Sequence, residues 1–224
     1  MNKQEYTFAG RHITIYTGHD AVQPILVYAN VSAGEGEELA SLIPLDQMTL
    51  VTIDSVDWNR DFSPWPALKV FPQGDDFSGG GPAYLQTLTK EIIPTVERTL
   101  SVVPEKRILT GYSLAGLFAL YGVYETTLFQ GAVCASPSLW YDHWLDYMER
   151  YSLPWPVRRI YFSLGDRESK TKNTRLATSQ LCIEKGKEII QRKGITTTFV
   201  LNKGNHFVDS MPRLAKGIRW IMEG

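Results

Sequence analysis

Runs of β-branched and apolar residues alternate with helical patterns along almost the whole chain, and this alternation limits the fold more than any other feature. The runs lie at 24–29 (PILVYA), 48–54 (MTLVTID), 107–112 (RILTGY), 130–135 (QGAVCA), 158–164 (RRIYFSL) and 196–201 (TTTFVL). Helical patterns fall near 35–43, 83–100, 114–124, 142–150, 174–193 and 208–222. Strands that are continuously apolar and separated by helices bury both faces, which is the signature of a mostly parallel sheet with helices on either side. Residues 4–8 and 11–16 read as two strands joined at Ala9-Gly10, a hairpin that adds an antiparallel edge. The 224 residues carry no internal repeat and no low-complexity linker, so one domain spanning 1–224 is expected.

One segment breaks the pattern. Residues 55–81 (SVDWNRDFSPWPALKVFPQGDDFSGGG) show no clear period, and irregular loops of that length are usually functional. This one is a candidate wall of a site. The net charge of -1 gives no electrostatic reason to expect nucleic acid or an anionic membrane as a partner. Two cysteines cannot build a disulfide framework, and Cys134, inside an apolar run, reads as a core residue. The opening MNKQEYTFAGRHITIY alternates polar and apolar residues, and no apolar stretch reaches membrane-spanning length. A soluble, cytoplasmic protein is the expectation.

Between the run at 107–112 and the helix at 114–124 stands GYSLAG. A serine flanked by small residues at a sharp strand-to-helix turn is the nucleophile elbow, G-x-S-x-G, with Ala115 in place of the last glycine and Gly116 following. Ser113 is therefore the candidate nucleophile. A serine hydroxyl needs a base within hydrogen-bond reach. Of the four histidines, His12 lies in the hairpin, His19 in a polar loop and His143 at a helix start, where it could line a pocket. His206 follows the last strand and fits the chain order serine, acid, histidine. The acid should follow the strand at 158–164, where Asp166 and Glu168 compete; Glu168 is favoured and Asp166 is the alternative. For the oxyanion, the Leu114 amide directly follows the nucleophile, and a second amide is expected after the early strand, at Ser32 or else Val31. Gly34-Glu35-Gly36 lacks the ending of a phosphate loop.

GYSLAGLFALY, ASPSLWY, SLGDRE and GNHF together resemble the esterase D / enterochelin-esterase-like group of α/β hydrolases. RDFSPWPA, followed by GGG and a helix ending IIP, resembles the same group. The resemblance implies an α/β-hydrolase fold, catalysis by Ser113 and His206 with an acid in SLGDRE, a small-molecule ester or thioester substrate, no metal and no organic cofactor. Where relatives often carry Asp-Gly after the early strand, this chain has Asn30-Val31. Trp58, Arg60 and Trp65 in the long loop, Tyr112 beside the serine, and Trp140, Tyr141 and Trp144 after a strand tip are aromatic or charged groups near the expected site. Trp140, Trp144, Arg60 and Tyr112 are the candidates for substrate contact. Two rival readings are a binding protein that keeps the fold without turnover and an acyltransferase that uses the same serine.

Overall fold

The computed structural model describes residues 1–18 and 22–223. In chain order the first strands are β1 (Asn2–Phe8), β2 (Arg11–Thr17), β3 (Ile25–Asn30) and β4 (Thr49–Asp54). Two short strands, β5 (Pro66–Ala67) and β6 (Phe77–Ser78), pair only with each other. The rest are β7 (Lys106–Tyr112), β8 (Gly131–Ala135), β9 (Arg159–Gly165) and β10 (Thr196–Asn202). Eight of them form one sheet in the order β1-β2-β4-β3-β7-β8-β9-β10. β2 is antiparallel to both neighbours, and the pairs from β4 to β10 are all parallel. This is the α/β-hydrolase fold.

The helices are α1 (Glu35–Ser41), α2 (Trp58–Asp61), α3 (Gly81–Thr87), α4 (Ile93–Leu100), α5 (Leu114–Glu125), α6 (Trp144–Arg150), α7 (Ser179–Arg192) and α8 (Ser210–Met222). Successive strand residues feed opposite cores. On β8, Ala132 and Cys134 join the core under α3 to α7, while Val133 and Ala135 join the one under α1 and α8. That two-sided burial is why the strands read as continuous apolar runs. α5 has every residue from Leu114 to Tyr124 buried, so it is apolar on all sides rather than on one stripe. Cys134 is fully buried, and burial pushes its thiol pKa well up.

Three local departures from the sequence pattern have physical causes. The 55–81 stretch is not structureless, because Asp57 caps the single turn α2 by accepting from the Arg60 amide (3.0 Å) and β5 and β6 close a small hairpin. The helix expected over 83–100 starts at Gly81 and passes through a π turn, Leu88–Ile92, just ahead of Pro94. Proline lacks the amide that an unbroken α-helix would need there. α6 begins at Trp144, and His143 before it sits at φ 62° with an exposed ring, outside any pocket wall. His12 lies in the hairpin against Asp54, 3.0 Å away; His19 lies outside the described residues. Among the described residues no helix is long and apolar enough to cross a membrane.

Parallel register brings the carboxyl ends of the central strands to one rim. Asn30 pairs with Gly111, Tyr112 with Ala135, and Asn202 with Gly165. The loops after β3, β7, β8, β9 and β10 therefore meet there, where open α/β sheets place their ligands.

Candidate active site

At the end of β7 the chain turns into α5 within one residue. Ser113 carries that turn at φ 59°, ψ -122°, a region that side-chain-bearing residues rarely occupy. The small neighbours follow from the close passage of strand and helix. A Cβ on Gly111 would lie 2.3 Å from the Ala115 carbonyl, and one on Gly116 would lie 3.0 Å from the Gly111 oxygen. Ala115 itself is fully buried, so an alanine fits at that position only because residue 111 is glycine.

Ser113 Oγ lies 3.0 Å from His206 Nε2, and His206 Nδ1 lies 2.6 Å from Glu168 Oε2. A hydroxyl, an imidazole and a carboxylate thus stand in series across three loops. Glu168 Oε1 also accepts from the Gly165 amide (2.6 Å), Ser136 Oγ (2.7 Å) and Arg213 Nη1 (2.9 Å). Burial pushes the Glu168 carboxyl up. The hydrogen bond and charge of His206, with the Ser136 and Gly165 donors, outweigh it and hold the carboxyl below the ordinary range. Arg213, 2% exposed, also donates to the Lys203 and Asn205 carbonyls (3.1 and 3.0 Å) and to the Tyr112 hydroxyl (3.1 Å). The Tyr112 hydroxyl in turn donates to the His206 carbonyl at 2.7 Å.

Asp166 does not reach the imidazole. It is exposed, and its Oδ1 accepts from the Gly204 amide (2.9 Å), tying the β9 loop to the histidine loop. Sequence reasoning passed over Ser136 and Arg213. Ser136 stands in ASPS directly after β8, whereas Arg213 is one of three basic residues on α8, with Lys216 and Arg219, and nothing in the spacing marks it out.

A cavity of about 460 Å³ opens at Ser113 and His206, walled by Phe71, Pro137, Trp140, Leu176 and Phe207. A niche of about 100 Å³ adjoins it, sharing Ser113, Ser138, Phe71 and Trp140 and adding Leu114 and Asn59. The 55–81 segment thus supplies wall through Phe71 and Asn59. A third groove of about 410 Å³, beside Pro82, Leu85 and Tyr121, lies away from this rim.

Several residues read as contacts from the sequence are placed elsewhere. Trp144 is fully buried, stacked between Trp65 and Tyr147 at centroid distances of 5.9 and 5.2 Å, because α6 turns that face into the core. Arg60 is held on Asp61 (Nε to Oδ1, 2.8 Å), in a cluster that Arg11 completes, and walls neither space. Tyr112 stands behind the histidine loop, bonded to its backbone, and not at the cavity wall. Both candidates for the second oxyanion amide are engaged: Ser32 donates to Glu35 Oε2 (2.7 Å) and its alternative Val31 to the Ile53 carbonyl (3.1 Å). Leu114 opens α5, where first-turn amides have no acceptor within the helix. Among the described residues no group of three or more His, Cys, Asp or Glu side chains could hold a metal ion.

A sequence model of the family described as "Putative esterase" matches residues 29–209, a span that includes Ser113, Glu168 and His206. The chain belongs to that esterase family. The "Uncharacterized protein YbbA" of Bacillus subtilis (strain 168) is 27% identical over 158 residues, which is 68% of this chain and 62% of YbbA. Among solved structures, siderophore hydrolase EstB from Aspergillus nidulans superposes with a TM-score of 0.79 at 14% identity, over 99% of this chain and 95% of that one. An IroE-like serine hydrolase from Shewanella oneidensis gives 0.78 at 17% identity, over 99% and 80%. The enterobactin esterase FES from Shigella flexneri gives 0.66 at 16% identity, and the match spans 59% of that longer chain. At these identities the structural likenesses of the esterase-family chain are likenesses of fold.

Proposed function

We propose that the protein is a serine esterase that hydrolyses a small-molecule carboxylic ester through an acyl-enzyme. Family membership supports ester hydrolysis. The observation that carries the serine mechanism is the unbroken series from Ser113 Oγ through His206 to Glu168, at 3.0 and 2.6 Å. His206 Nε2 takes the Ser113 proton as Oγ attacks the ester carbon, while Glu168 receives the Nδ1–H bond and stabilises the imidazolium. The Leu114 amide is the donor assigned to the developing oxyanion. His206 then returns the proton to the leaving alcohol oxygen, and water repeats the cycle on the acyl group.

Proton return also orients the substrate. The leaving alcohol must lie on the side where Nε2 can reach its oxygen. The larger cavity, about 460 Å³, carries His206 and Phe207; the niche of about 100 Å³ carries Leu114 and not His206. The substrate proposed is an ester of a short acyl group with a bulky, largely apolar alcohol. Two series of esters test this, one lengthening the acyl chain on a fixed alcohol, the other enlarging the alcohol of an acetate. kcat/KM should fall along the first and rise along the second. The reverse order would overturn the placement while leaving the esterase reading intact. A fluorophosphonate probe that fails to label Ser113, with no ester turned over, would overturn that reading in favour of a binding protein. Transfer of the acyl group to an added alcohol in preference to water would make it an acyltransferase.

A further inference from the structure

Arg213 lies on α8, three helical positions past its start, and its guanidinium is buried under the rim of the site rather than at its mouth. A buried cation is costly unless paired and hydrogen-bonded. This one is both. It reaches Glu168 Oε1, the carbonyls of Lys203 and Asn205 and the Tyr112 hydroxyl, at distances from 2.9 to 3.1 Å. Those partners come from three segments: the loop after β9, the loop bearing His206, and β7. Arg213 therefore ties the acid to the segment that carries the base, and it does so from the face of Glu168 turned away from His206. One carboxylate oxygen serves the guanidinium and the other serves the imidazole.

We infer that Arg213 is a positioning residue that holds the acid and histidine loops in register and offsets the Glu168 charge from the side turned away from His206. The inference rests on the Ser113–His206–Glu168 reading. A buried carboxylate holds an imidazolium proton beside it more tightly than water does. A cation on the opposite oxygen weakens that grip without removing the hydrogen bond that fixes the tautomer. Few other charges compete for this role. Tyr112 faces the histidine loop from β7 and is neutral near pH 7, burial having pushed its phenol further up. The loop after β8 brings only Ser136 and Ser138 toward the acid and the serine. Asp166 and Arg167 bond the backbone of Gly204, and Lys170 lies on the cavity wall; all three are exposed. Lys203 and Asp209, on the histidine loop itself, are exposed as well. Screening by water makes their effect small compared with that of a buried ion.

The test is the pH profile of kcat/KM, whose acid limb reports the free enzyme's base. Arg213→Gln keeps donors but removes the charge, and its acid limb should move to higher pH by about one unit. Arg213→Lys keeps the charge but cannot span both carbonyls and the carboxylate. Its limb should stay where the wild type has it while kcat falls. A purely structural arginine would lower kcat/KM equally at every pH, with the limb unmoved in both variants; that result overturns the inference. Should Arg213→Gln fail to fold, Glu168→Gln and the double variant Glu168→Gln/Arg213→Met make the same comparison, since the double variant leaves no buried charge unpaired. The limb of the single variant should lie below that of the double, and coincident limbs would count against the charge role. Loss of all Ser113-dependent turnover already in the wild type would instead overturn the esterase reading itself.

Discussion

The two sides of the cleft are held by different kinds of contact. On the acid and histidine side, Glu168 and Arg213 have side chains only 5% and 2% exposed, and both are hydrogen-bonded across several segments. On the other side, the chain from Leu68 to Phe77 is held by bonds of its own side chains and by three side chains that reach in, of which Asn59 donates to the Asp75 carbonyl (3.2 Å). Asp76 accepts from the Lys69 amide (3.0 Å), Asn173 donates to the Val70 carbonyl (2.6 Å) and Arg175 to that of Leu68 (2.7 Å). Leu68 and Phe71 are 69% and 57% exposed. On the proposed mechanism, the difference separates two tasks. Groups that move a proton must stay within a fraction of an ångström of their geometry and sit in a network that fixes them. A wall that receives a substrate can be lightly held and still function, and such segments tolerate sequence change.

The first way to break this contrast is to remove the groups proposed to react. Ser113→Ala and His206→Ala should each lower kcat by about 10⁴-fold or more with the fold intact, and combining them should add little, because the pair acts as a unit. Turnover of more than about a tenth of wild type in Ser113→Ala would place the nucleophile elsewhere, since losses from a triad are usually far larger. Next in size is the acid. Glu168→Gln should cost up to about 10⁴ in kcat, whereas Asp166→Asn should cost little because it only tethers a loop. Equal small losses would reduce the site to a serine–histidine pair, and a larger loss in Asp166→Asn would reverse the assignment.

On the recognition side the expected effects are smaller and selective. Trp140→Ala should lower kcat/KM for bulky-alcohol esters by about 10–200-fold and spare small ones. Trp144→Ala should leave selectivity alone and instead destabilise the fold by about 3–5 kcal/mol, the usual cost of truncating a buried tryptophan. Kinetics on a small and a bulky ester, beside urea unfolding of both variants, separates the two outcomes; equal selectivity changes would erase the distinction between wall and core. The smallest effect is expected at Glu35. Glu35→Ala frees the Ser32 amide, and kcat should stay unchanged. A rise would return Ser32 to the oxyanion hole.

The pieces that could be read from the chain are those whose cause is local. Strand and helix alternation, the elbow at Ser113 and the place of His206 after the last strand depend on neighbours within a few residues. Of the two carboxylates after β9, Glu168 is the one favoured from the sequence, and the structure brings it to the imidazole. Trp144, Arg60 and Tyr112 are read by proximity in sequence to the expected site, and proximity does not say which way a side chain turns; Ser32 is read from its place after the early strand, which does not say whether its amide already has an acceptor. His143 and Trp144 are adjacent, yet one is exposed and the other fully buried.

What the sequence determined by itself is therefore the fold class, the strained turn that presents Ser113, and the chain order of serine, acid and histidine, because periodicity and turn chemistry are written in short windows. Only the tertiary structure decided that Arg213, 45 residues beyond Glu168, backs the acid, that Ser136 shares it, and that the Val31 and Ser32 amides are taken. A buried charge is stable only where distant segments converge on it with matching donors and acceptors, and that convergence exists only once the sheet has brought the loop ends together.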